Sequence, residues 1–82
     1  MDDNAQGTPT HDEFRTRLEH VYMAMEGATN ARGALKFFER ESGYSYSNVR
    51  RICNGELPEV PLKALRALEQ LEKRAAALSA LR

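Results

Sequence analysis

Four stretches of helical apolar spacing run along the chain, each closed by residues that end helices. In the first, Phe14, Leu18, Val21, Tyr22 and Met25 recur at intervals of three and four, which puts them on one face of a helix of about three turns. Thr10 and Glu13 precede the series as T-x-x-E, the signature of a capping box, and Gly27 closes it. The second stretch sets Ala31, Ala34, Leu35 and Phe38 on a stripe with Lys36, Arg40 and Glu41 off it. Thr29 or Asn30 is placed to cap this helix, and Gly43 follows Ser42 where a terminating helix needs positive φ. Phe37 lies beside the stripe, facing either the first helix or a partner chain. Ser45 is the expected N-cap of a third, short helix with Val49 and Ile52 as its apolar pair and Asn54-Gly55 as its end.

The prolines of Glu56-Leu57-Pro58-Glu59-Val60-Pro61 lack amide donors and bias their predecessors towards extended backbone, so this segment is a loop; Pro61 also suits the first turn of a helix. From Leu62 to Leu81 there is no Gly or Pro, and good helix formers dominate, which predicts one long helix. Leu62, Leu65 and Leu68 are expected to close a four-helix core. Leu71, Ala75, Leu78 and Leu81 continue the stripe, and with Ala64 and Leu68 make a heptad-like seam of about two heptads. A helix of about 20 residues spans about 30 Å, the diameter of a small domain, so its end is expected to overhang the core. Leu71, Ala75, Leu78 and Leu81 are therefore the expected dimerisation residues, unless this end folds back on the first helix or frays. Residues 1–9 show no periodicity and are expected to form a flexible acidic tail. The predicted architecture is all-α, a small four-helix domain over 10–82 with a helix-turn-helix at 31–55 and a long C-terminal helix at 62–81.

Two helices joined by a glycine turn of three to four residues cross steeply, and the second can enter a DNA major groove. The run Gly43-Tyr44-Ser45-Tyr46-Ser47-Asn48-Val49-Arg50-Arg51-Ile52-Cys53-Asn54-Gly55 resembles the turn and recognition helix of phage-repressor-type, Cro-like helix-turn-helix proteins. The resemblance continues through Pro58 and Leu62 to Leu68, about half of the chain. It implies a homodimeric, sequence-specific regulator of transcription, a repressor by analogy, acting on double-stranded DNA in a phage or bacterium. By position it implies base contacts at Tyr46, Ser47 and Arg51 and phosphate contacts at Ser45 and Asn54. One residue departs from the pattern: four before the turn glycine the family has a small residue, commonly Ala, and here stands Glu39. Either the first helix of the motif is rotated or lengthened by a residue, or Glu39 reaches past the crossing.

Charge supports the same region. The formal net charge is zero, but residues 1–27 carry two cations against six anions, residues 28–55 five against two, and residues 56–82 five against four. Positive charge thus collects on the motif, as contact with phosphates requires. With Val49 and Ile52 turned inward, Tyr46, Ser47, Asn48, Arg50 and Arg51 form the candidate base-reading face. Arg suits guanine O6 and N7, while Ser and Asn suit several base edges or a phosphate. Arg32, Lys36 and Arg40 would flank the duplex as phosphate partners. Tyr44, at the apolar turn position, is expected in the core, and so is Cys53, free cysteine being among the most buried side chains.

Other chemistry finds little footing. One cysteine permits no internal disulfide, and His11 and His20 have no partners at metal-binding spacing, so both are expected to be solvated and neither metal nor cofactor is expected. No nucleophile-base pair or phosphate-cradling glycine loop is present, and the chain is expected to be no enzyme and to take no small-molecule substrate. Without an apolar run of about 18 residues or a leader-like segment it is expected to be cytoplasmic. The competing expectation is a protein-interaction module on the same fold, with Tyr46 and the leucine-rich tail serving a protein partner.

Overall fold

The computed structural model describes residues 8–81 and contains four helices and no strand among them: α1 (His11–Glu26), α2 (Ala34–Ser42), α3 (Tyr46–Cys53) and α4 (Leu62–Ala80). The fold is therefore all-α, as the apolar spacing predicts. Of the tail expected over 1–9, residues 1–7 lie outside the described residues.

The capping box forms as the sequence implies. The Glu13 amide donates to Thr10 Oγ1 at 3.0 Å and the Thr10 amide to Glu13 Oε1 at 2.8 Å, so two amides that the first turn of α1 cannot satisfy are paired reciprocally. Gly27, at φ 66, ends α1. The start of α2 differs from expectation. Neither Thr29 nor Asn30 caps it; Asn30 Oδ1 accepts from the Arg32 amide at 3.0 Å, bending the chain locally, and the helix begins three residues later than Ala31, behind Gly33. A Cβ at Gly33 would come within 2.6 Å of Tyr22 Oη, so the missing side chain lets the start of α2 lie close against α1.

The inward face of α2 also differs from the expected stripe: Ala34, Phe37 and Phe38 are buried and Leu35 only partly so. Phe37 packs on α1, its ring 5.4 Å from that of Tyr22, which answers for this chain which surface it meets. Phe38 stands between Phe14 at 5.9 Å and Tyr44 at 5.9 Å. With Leu18, Val21, Val49, Ile52 and Cys53, these residues form one continuous core.

α4 also sits in a different register from the one its leucines suggest. Leu62 is 60% exposed, whereas Val60, Ala64, Leu68 and Leu71 are buried. The two-proline loop delivers Val60 into the core just before the helix starts, and the inward face then follows as Ala64, Leu68 and Leu71 at spacings of four and three. Leu71, expected at a dimer seam, is only 2% exposed; it belongs to the core of the chain itself. Ala75 packs against the core edge. Beyond it the overhang is real, with every residue from 76 to 81 exposed, Leu78 by 41% and Leu81 by 84%.

Two ion-paired contacts fasten α4 to the rest. Arg17 of α1 donates from Nε and Nη2 to both oxygens of Glu72 at 2.8 and 2.6 Å, a two-pronged geometry of the stronger kind, and Glu72 holds the Arg17 guanidinium above its usual pKa. Arg74 reaches Glu41 of α2 at 3.1 Å.

Candidate nucleic-acid interface

The turn between α2 and α3 is built from three residues, Gly43, Tyr44 and Ser45. Gly43 takes φ 76 and its amide donates to Glu39 O at 2.9 Å, the left-handed termination that only glycine adopts without a Cβ penalty. The Ser42 hydroxyl donates back to Phe38 O at 2.6 Å and accepts from the Tyr44 amide at 3.1 Å, stapling the helix end to the turn. Tyr44 then drops its ring towards Phe38, as its apolar position predicts. Ser45 caps α3, its Oγ accepting from the Asn48 amide at 3.4 Å.

At its other end α3 closes with a Schellman pattern. The Glu56 amide donates to Arg51 O at 2.9 Å and the Gly55 amide to Ile52 O at 3.0 Å, with Gly55 at φ 73. Both ends of this eight-residue helix are thus satisfied by turn chemistry encoded beside it. Val49, Ile52 and Cys53 are its buried face. With about 3.6 residues per turn, Ser47, Arg50, Arg51 and Asn54 lie opposite that face, with Tyr46 and Asn48 at its two edges. All six are exposed except Tyr46, which is half-buried.

The flanking cations divide. Lys36 joins this surface, its Nζ lying 4.7 Å over the Tyr46 ring, a cation-π contact. Arg32 is exposed in the turn before α2. Arg40, expected as a phosphate partner, is instead held on the α1 side. Its Nε donates to Glu41 at 2.9 Å and its Nη2 to Glu26 at 3.1 Å, and the guanidinium lies over Phe37. Glu41 accepts from Arg40 and pairs with Arg74, and its carboxyl is correspondingly held below its ordinary pKa.

Two carboxylates border the α3 surface that spacing alone did not place there. Glu56 approaches Arg51 Nε at 3.8 Å and accepts from Asn54 Nδ2 at 3.4 Å. Glu39 reaches past the helix crossing, and its Oε2 accepts from the Tyr46 amide at 3.2 Å.

Cys53 is buried, and burial pushes its thiol up to about 11, so it is a core group with little thiolate character. His20 is exposed. His11, expected to be solvated, is partly covered, and its Nε2 is enclosed without a hydrogen-bond partner among the described residues. No group of three or more His, Cys, Asp or Glu side chains among the described residues is arranged to hold a metal ion, and no helix among them is long and apolar enough to cross a membrane. Comparison with known protein families, characterised proteins and solved structures finds no match to this chain.

Proposed function

We propose that this chain is a sequence-specific regulator of transcription, a repressor, that inserts α3 into the major groove of double-stranded DNA as a homodimer. The observation that carries this reading is the two-sidedness of α3. Three of its side chains are locked into the core, while Ser47, Arg50, Arg51 and Asn54 stand opposite, exposed, on a helix whose ends are fixed by a three-residue glycine turn and a Schellman close. A rigid helix with a polar, arginine-bearing outer face is the element that major-groove reading requires. In this reading Ser47, Asn48, Arg50 and Arg51 face base edges, Tyr46 meets a thymine methyl or a phosphate, and Ser45, Asn54, Arg32 and Lys36 meet the backbone. Arg40 has no part in it.

Glu39 and Glu56 on the same border, and the zero net charge, favour a second reading, a protein-interaction module that docks a protein partner on α3. Salt separates the two. DNA affinity drawn from several phosphates falls by about two to five orders of magnitude between about 50 and 200 mM salt, whereas an apolar protein interface responds little. The test is selection from a random duplex pool at both salt concentrations, followed by the Arg50→Ala, Arg51→Ala double variant on the enriched sequence. The expected outcome is an enriched palindrome and a loss of about 1–3 kcal/mol for each arginine that pairs with guanine. Unchanged DNA affinity in the double variant would falsify the regulator reading.

A further inference from the structure

The leading end of α3 carries a carboxylate. Glu39 lies on α2 one turn before the glycine, and the Tyr46 amide donates to its Oε2 at 3.2 Å. Ser45 Oγ claims the Asn48 amide. Lys36, one turn earlier on α2, is engaged over the Tyr46 ring, and none of the ion pairs among the described residues includes Glu39. The carboxylate thus lies at the N-terminus of α3 without a direct ion pair, the Lys36 cation being held over the neighbouring Tyr46 ring.

A bare helix N-terminus attracts anions, because its free amides and the helix dipole both present partial positive charge. Glu39 satisfies part of that demand from within the chain. The same carboxylate repels any second anion approaching those amides. In the DNA reading, on which this inference rests, the N-terminal turn of α3 enters the groove and α2 crosses the sugar-phosphate backbone beside it, so this is where phosphates come near.

We propose that Glu39 limits DNA affinity, its carboxylate standing at the end of α3 where a backbone phosphate would otherwise be attracted. Phosphates are the same in every sequence, so the penalty falls on all duplexes alike. Binding then depends more heavily on the base contacts of Ser47, Arg50 and Arg51, in a protein whose net charge of zero already gives little general attraction to DNA.

The experiment is a fluorescence-anisotropy titration of a labelled random-sequence duplex with the full chain and three variants: Glu39→Gln, Glu39→Ala, and Arg50→Ala with Arg51→Ala. Helicity and thermal unfolding are recorded for each. Gln keeps an oxygen to accept from the Tyr46 amide and removes the charge; Ala removes both. Glu39→Gln is expected to bind about three- to tenfold more tightly at about 50 mM salt, with a smaller gain at about 200 mM as the charge is screened. Glu39→Ala is expected to tighten as well, at some cost in helicity. If Glu39 acted only by capping α3, Gln would leave affinity unchanged and Ala would weaken it, which overturns the proposal. Wild-type binding that is lost in the arginine variant but not improved by Gln sinks this inference alone. No retained DNA for either the folded wild type or the Gln variant at low salt removes the DNA reading and this inference with it.

Discussion

The fold changes the chemistry of Cys53. It lies on the inward face of α3 beside Ile52, and burial raises its thiol to about 11, against about 8.5 for a free cysteine. A raised thiol pKa means that the folded chain holds the proton more tightly than the unfolded chain does. The stability this contributes is complete below about pH 8.5 and is lost as pH climbs towards about 11. Two measurements check it. A maleimide reagent at pH 7.5 is expected to label the native thiol far more slowly than the urea-unfolded one, because the thiolate is the reactive form. Unfolding midpoints taken in steps from pH 8 to pH 11 are expected to decline for the wild type and to stay flatter for Cys53→Ala. Rapid native labelling would show the thiol to be accessible and would contradict its place in the core.

Single side chains also join the elements, and Phe38 joins three of them. From α2 it touches Phe14 on α1 and Tyr44 in the turn, and Ser42 bonds back to its carbonyl. Phe38→Ala would leave a cavity where α1, α2 and the turn meet, and is expected to cost about 3–5 kcal/mol in urea unfolding, a large share of what a small domain has. A loss under about 1 kcal/mol would mean that the site collapses without holding α2 to α1. The helix ends around it were legible in the sequence, because a cap or a glycine acts on its immediate neighbours: the Thr10-Glu13 box, Gly27, Gly43, Ser45 and Gly55 all perform as their positions imply. The start of α2 was not, since its stripe continues smoothly back to Ala31, whereas the helix begins behind Gly33, where Tyr22 of another helix comes close. α4 shows the same limit. Apolar residues lie at Leu62, Ala64, Leu65, Ala67, Leu68 and Leu71, over more than half of the helix circumference, so spacing permits more than one inward face, and the one adopted continues from Val60 in the preceding loop. The candidate site divides in the same way. The outward face of α3 follows from Val49 and Ile52, whereas the pairing of Arg40 with Glu26 across helices, and the reach of Glu39 to Tyr46, depend on contacts that periodicity does not carry.

At the scale of the whole molecule, the way the ion pairs are placed bears on how two copies could meet. Arg17 with Glu72 and Arg74 with Glu41 bind α4 to α1 and α2, and Leu71 is buried in the core, so the part of α4 up to Ala75 is engaged within the chain. A dimer joined through the end of α4 would use what lies beyond: Leu78 and Leu81, with small alanines at 76, 77 and 80 around them. This patch is short, so an association built on it alone is expected to be weak, and binding to a two-fold operator would strengthen it by linkage, since a ligand that binds only the dimer shifts the equilibrium towards it. Sedimentation velocity of the free chain over a range of concentrations is expected to show a monomer-dimer equilibrium, displaced to dimer by a palindromic duplex. Leu78→Glu with Leu81→Glu is expected to yield monomer at every concentration with thermal stability nearly unchanged, because both side chains are exposed in the protomer. Leu71→Ala is expected to do the reverse, costing about 2–5 kcal/mol of protomer stability without removing the exposed patch. If the glutamate variant still dimerises, the tail is not the seam, and the contact between copies must be sought on another face.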